Sequence, residues 1–150
     1  MKKLSHTDAS GKARMVDVSA KNDQKRKAKA EGSIRLHPDT LNLIRDNDIK
    51  KGDVLNVARV GGIMGGKKTS ELIPMAHNLP LNSVSVDIEL TKEGAHVYAE
   101  AACTGKTGVE MEALTAVSIA LLNIYDMCKA VDGDMEIGEI RLIEKTKTNL

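Results

Sequence analysis

An α+β fold, with helices on one face of an antiparallel sheet, is what this sequence predicts, and three stretches predict it. Val84-Ser-Val-Asp-Ile-Glu-Leu90 alternates apolar and polar residues, the pattern of a half-buried strand. Lys92-Glu-Gly94 supplies a turn and Ala95 to Ala102 returns as a second strand, which makes a hairpin. Val109 to Val131 reads as one long helix, apolar nearly all round from Ala113 to Tyr125. A helix apolar on every side is a buried one, here covered in part by another subunit. Helices mixed with hairpin-joined strands give the α+β class.

The other elements follow in chain order. Residues 1–14 are polar and without a period, and are expected to form a flexible arm; residues 15–150 are expected to form a single domain. Lys21 to Lys29 holds five basic residues, a run that is usually a solvated face and less often a phosphate-binding patch. Ala28 to Leu36 can leave it as a strand. His37-Pro38-Asp39 opens a short helix, since Pro suits a first turn. Leu41, Leu43 and Ile44 form its apolar stripe, and Asn47-Asp48 ends it. Lys50-Lys51-Gly52-Asp53 is a turn, with Asp53 placed to cap the next segment. Val54 to Lys68 favours a helix whose glycines permit close packing, over a strand followed by a glycine loop. Pro74 and Pro80 bracket an irregular segment, and Glu136 to Lys145 is a final strand.

Composition narrows the function. There is no Phe and no Trp, and Tyr98 and Tyr125 are the only aromatic residues. The core must be aliphatic, and a bound base would find few rings to stack on, which argues against single-stranded nucleic-acid binding. The uncharged apolar stretch Ala113 to Tyr125 is too short to span a bilayer, so no membrane role is expected. Cys103 and Cys128 lie far apart and no signal-peptide pattern opens the sequence, which points to free thiols in a reducing cytoplasm. Residues 1–75 carry 16 Lys and Arg against 9 Asp and Glu; residues 76–150 carry 6 against 12. That asymmetry fits a basic surface for an anionic substrate, and fits equally two halves that attract each other.

Several motifs could carry chemistry. Gly61-Gly-Ile-Met-Gly-Gly-Lys-Lys-Thr69 resembles a phosphate loop, but Lys68 stands where the magnesium-binding hydroxyl belongs, so close helix packing is the simpler reading. Thr104-Gly-Lys-Thr-Gly108 precedes a helix and could receive an anion, or could need glycine only for its backbone angles. Glu110 and Glu112 fall in the first helical turn, where the helix dipole favours carboxylates. Asp126 and Lys129 share a helix face near the other end, as a surface pair or an acid/base couple. Glu112 and Asp126 are 14 residues apart, about 21 Å along the axis, so one small substrate touching both would need two subunits. His77, between two prolines, is the one histidine with a functional setting. No pair of histidines has metal-ligand spacing.

Met15-Val-Asp-Val-Ser19, Lys51-Gly-Asp-Val54, Thr69-Ser-Glu-Leu-Ile-Pro74, Thr104 to Thr115 and Ile124-Tyr-Asp-Met-Cys-Lys-Ala-Val131 together resemble one family, the cyclic pyranopterin monophosphate synthases of molybdenum cofactor biosynthesis. The resemblance covers nearly the whole chain. It implies a ferredoxin-like fold, a catalytic domain over 15–150, and a homohexamer built as a trimer of dimers with sites between subunits. The implied reaction turns 3′,8-cyclo-7,8-dihydroguanosine 5′-triphosphate, supplied by a radical S-adenosylmethionine enzyme, into cyclic pyranopterin monophosphate and diphosphate. No cofactor is required, with magnesium on the diphosphate as an option. By position, the resemblance implies that Asp126, Lys51 and Lys129 are catalytic, and that Met75, Ala76, His77, Glu110, Met111, Glu112 and Arg26 bind substrate, Arg26 at the phosphates. Two departures stand out. Ala76-His77-Asn78 replaces a frequent Cys-His-Pro, which leaves room for a backbone contact but none for a thiol role. The sequence stops at Leu150 where the family often has a Gly- and Lys-rich tail, so a phosphate contact from that tail is expected to be absent or replaced by Lys145 or Lys147.

Overall fold

The computed structural model describes residues 5–150, so the first four residues of the expected arm lie outside the described residues. Within residues 5–14, Thr7 and Ala13 form an isolated antiparallel bridge, closed by Asp8, whose carboxylate accepts from the Ser10 and Lys12 amides.

Four strands and four helices follow: β1 (Gln24–Arg35), α1 (Pro38–Arg45), α2 (Val54–Lys67), α3 (Thr69–Leu72), β2 (Leu81–Leu90), β3 (Gly94–Gly105), α4 (Glu110–Cys128) and β4 (Glu136–Asn149). The sheet is antiparallel in the order β2-β3-β1-β4, and α2 and α4 cover one face. That is the ferredoxin-like α+β arrangement. Every strand runs longer than its sequence pattern predicts. The strand β1 begins at Gln24, not Ala28, and takes the basic run with it. Alternation then turns Lys25, Lys27 and Lys29 to the open face and Ala28, Ala30 and Ile34 to the helices. On the open face Lys27 and Lys29 pair with Glu100, and Lys29 also with Glu144, so this stretch is largely the solvated face its composition suggests. The strand β4 reaches Asn149, with bulges opposite β1; Glu139 takes φ 55° at one of them.

The core is aliphatic as expected. Val97, Val117, Leu121 and Ile124 are fully buried between α4 and the sheet. Helix α4 has the length and hydropathy of a membrane span, but more than half of that stretch is buried in this core. Its outward stripe is not buried within the chain: Leu122 and Tyr125 are exposed, as are Val57, Val60 and Met64 on α2.

The glycine run is helix, as its spacing predicts. Asp53 caps α2 by accepting from the Asn56 amide at 3.1 Å. A Cβ on Gly62 would meet the Ala116 carbonyl oxygen at 2.8 Å, and one on Gly65 would meet the Ile119 side chain at 2.6 Å. Glycine on this face brings α2 against the backbone of α4. Thr69, the residue that fell one place late for a phosphate loop, is buried and donates its hydroxyl to the Gly66 carbonyl at 2.8 Å.

Candidate active site

Helix α4 presents functional side chains at both ends. At its C-terminal end Asp126 sits between two amino groups. Lys129 Nζ lies 3.1 Å from Oδ1, one turn further along the helix, and Lys51 Nζ lies 3.1 Å from Oδ2. Lys51 also donates to the Asp126 carbonyl oxygen at 3.0 Å, where the last turn of α4 leaves carbonyls without helical partners. It arrives on a turn fixed at both ends. Ile49 is buried on one side, Asp53 caps α2 on the other, and Gly52 between them takes φ +112°, which a side-chain-bearing residue rarely adopts. Hydrogen bonds from Lys129 and then Lys51, with their charges, hold the Asp126 carboxyl below its ordinary range. The three side chains predicted to be catalytic therefore form one cluster, and Asp126 is ionised at neutral pH with a donor on each oxygen.

The N-terminal end of α4 borders two adjoining clefts. The first, of about 340 Å³, is lined by Met75, Ala76, His77, Glu110, Met111 and Glu112, and is roofed by Val16 and Val18. His77 donates from Nε2 to the Val16 carbonyl oxygen at 2.6 Å, which leaves Nδ1 as the ring's other polar atom. Glu112 is only 4% exposed. Burial pushes its carboxyl above the ordinary range and the Glu110 charge adds to this, against the pull of its own amide and of His77. The second cleft, of about 390 Å³, is lined by Lys21, Arg26, Lys27, Glu110, Lys145 and Lys147. Lys145 Nζ lies 3.2 Å from Glu110 Oε1. Arg26 donates to the carbonyls of Gly105 and Lys106 at 3.4 and 3.3 Å, which fixes its guanidinium at the loop before α4. Lys21, Thr107, Gly108 and Glu110 border both clefts.

The seven residues expected to bind substrate thus gather at one end of α4 and the three expected to be catalytic at the other, in separate clusters as the helix length requires. Lys21 was not singled out by its sequence. Its place at both clefts comes from the chain entering β1, a long-range packing event with no local signal beyond the basic run it belongs to. Among the described residues no group of three or more His, Cys, Asp and Glu is placed to hold a metal ion.

Residues 15–148 match the family model described as MoaC family. The chain belongs to the MoaC family. MoaC relatives are similar along almost their full length. A protein of Peptoclostridium acidaminophilum is 54% identical over 95% of this chain and 91% of its own. One from Heliobacterium modesticaldum is 53% identical over 97% and 93%, and one from Syntrophomonas wolfei subsp. wolfei is 55% identical over 95% and 92%. Each bears the name cyclic pyranopterin monophosphate synthase. The match takes in every element from β1 to β4, and with them both ends of α4.

Proposed function

We propose that this chain is a cyclic pyranopterin monophosphate synthase. It converts 3′,8-cyclo-7,8-dihydroguanosine 5′-triphosphate to cyclic pyranopterin monophosphate in molybdenum cofactor biosynthesis and releases diphosphate. The observation that carries the reading is the Lys51–Asp126–Lys129 cluster in a chain more than half identical to relatives of that name.

The chemistry needs two things. Rebuilding the purine-derived ring system moves protons at nitrogen and carbon, which calls for paired donors and acceptors within hydrogen-bond reach. Closing the cyclic phosphate needs a ribose oxygen to attack the inner phosphorus while the bond to the next phosphate breaks and diphosphate leaves with the electron pair. Cations stabilise the charge that develops there. Asp126 with Lys51 and Lys129 supplies the first. Lys21, Arg26, Lys145 and Lys147 supply the second, beside a cleft where His77, the buried Glu112 and the Met75-Ala76 and Met111 stretches bind the ring by hydrogen bonds and apolar contact. Neither task asks for a resident cofactor; magnesium would enter with the diphosphate.

A substrate of this size cannot reach both ends of α4 in one chain, about 21 Å apart. The reading therefore includes a homohexamer, a trimer of dimers, in which the Asp126 end of one protomer faces the His77 end of another. The exposed apolar stripes of α2 and α4 give neighbours a surface to cover. The substrate would come from a radical S-adenosylmethionine enzyme in the same cytoplasm.

The test is turnover of the cyclised nucleotide. Lys51→Ala and Asp126→Ala are expected to lose at least about a hundredfold in kcat, the size of an acid/base contribution, with fold and oligomer intact. Full activity in either variant refutes the assignment. Mixed oligomers of Lys51→Ala and His77→Ala protomers are expected to regain activity. Oligomers that mix and stay inactive refute the shared site.

A further inference from the structure

Gly108 ends the Thr104-Gly-Lys-Thr-Gly108 stretch, and a turn that needs glycine for its backbone angles is the simplest account of it. The structure removes that account. Among the glycines only Gly11 and Gly52 have positive φ, so the backbone at Gly108 is one that other residues adopt. The space is what is special. A Cβ built on Gly108 would land on the Glu110 carboxylate, within 2.6 Å of its Cδ and closer still to both oxygens. The Glu110 side chain folds back over the start of α4 and lies against the bare Cα of Gly108.

That placement puts the carboxylate at a boundary. Glu110 and Gly108 both line the ring-side cleft and the lysine-rich cleft, and Glu110 Oε1 pairs there with Lys145. A carboxylate at the inner edge of a cluster of lysines repels phosphate oxygens and holds one ammonium in place. It thus confines the phosphates to the outer cleft and leaves the inner one to the ring.

We propose that Gly108 is a positioning residue that acts through Glu110: its missing side chain keeps the Glu110 carboxylate paired with Lys145 as a divider between the ring cleft and the phosphate cleft. The inference rests on the synthase reading for the identity of the ligand, though not for the geometry.

A double-mutant cycle on the full-length protein tests it, with Gly108→Ala, Glu110→Gln and the double variant. Each is read by the affinity of inorganic tripolyphosphate in calorimetry and by kcat and KM for the cyclised nucleotide. Both single variants are expected to bind tripolyphosphate about threefold to fivefold more tightly, the range of a partly exposed charge interaction. Both are expected to lower kcat/KM, because phosphates then enter the inner cleft unproductively. The double variant should match Glu110→Gln alone, since Gly108 has nothing to position once the charge is gone. Additive losses, or a Gly108→Ala that binds tripolyphosphate as wild type does, overturn the proposal. Should Gly108→Ala fold poorly, Gly108→Ser at low temperature gives the same cycle, and additivity again counts against it. Coupled tripolyphosphate binding in a protein whose wild type never turns over the nucleotide would sink the synthase reading and leave the positioning role standing.

Discussion

Adding one methyl group at Gly62 separates close packing from mere helix tolerance. The Cβ of Gly62→Ala would stand 2.8 Å from the Ala116 carbonyl oxygen, 3.0 Å from the Ala120 Cβ and 3.0 Å from a Val86 methyl. The first two atoms are fixed to α4, so relief requires α2 and α4 to move apart by a few tenths of an ångström. Overpacking of this kind costs about 1–3 kcal/mol. Alanine returns about 1 kcal/mol through helix propensity. Taking the middle of the overpacking range, about 2 kcal/mol, the net expectation is a loss of about 1 kcal/mol, and for a chain of this length a fall in Tm of about 2–4 °C. Gly61→Ala is the internal control. The three atoms nearest its Cβ all belong to the Asn123 side-chain amide, which donates to the Ile119 carbonyl at 2.8 Å and is partly exposed, so it can turn aside. One lost hydrogen bond, about 1 kcal/mol, then offsets the same propensity gain, and the midpoint should hold within about 2 °C. Urea and thermal unfolding of the two variants beside wild type decide the matter. A Gly62→Ala protein as stable as wild type, or a Gly61→Ala protein equally weakened, would show that the glycine face does not set the helix separation.

Two further perturbations probe the two ends of α4. Gly52→Ala forces a side chain into φ +112°, so it should cost about 1–3 kcal/mol and reduce turnover by releasing Lys51 from Asp126; a variant equal to wild type in urea midpoint and kcat would mean that this turn does not position Lys51. Glu112→Gln tests the buried carboxyl. Its pKa in the folded chain is raised above the ordinary 4.5, so the folded state binds more protons than the unfolded one between the two values, and stability falls as pH rises through that window. The neutral glutamine should therefore be more stable than wild type at pH 8 and lose that advantage by pH 4, and an advantage independent of pH would contradict the burial of a charge there.

Much of this was readable in advance because it is local. The hairpin of β2 and β3 follows from alternation and a Lys-Glu-Gly turn, and α4 from a long uncharged, mostly apolar run. Asp126 and Lys129 are one helical turn apart by sequence, and their 3.1 Å contact is what that spacing permits. Other features are set by partners far along the chain. The extension of β1 back to Gln24 is paired by Gly105 on one side and Asn149 on the other, so an otherwise polar segment is held as strand by its neighbours. The short α3 has four residues and one buried side chain, too few for a period to show. The crowding at position 108 comes from a carboxylate two residues away, which only the folded turn brings back beside it.

The Asp126 cluster is half solvated in the single chain, with the aspartate side chain 58% exposed and the lysines similarly open. Ion pairs in that setting are weak, because water screens them and competes for every hydrogen bond. Proton transfer of the strength proposed here belongs to a drier site, where the same dipoles act at low dielectric. The buried Glu112 and the roofed His77 already have such a setting at the other end of the helix, yet no lysine–aspartate cluster stands with them. The two ends of α4 therefore differ: the Asp126 cluster is exposed, whereas at the other end the Glu112 carboxyl is buried and Glu110 pairs with Lys145 at the border of both clefts. In the proposed oligomer, seating the Asp126 end of one protomer over the His77 cleft of another would shield the lysine–aspartate cluster from water. The stretch between the two ends, Ala113 to Ile124, would then set the spacing of the two half-sites.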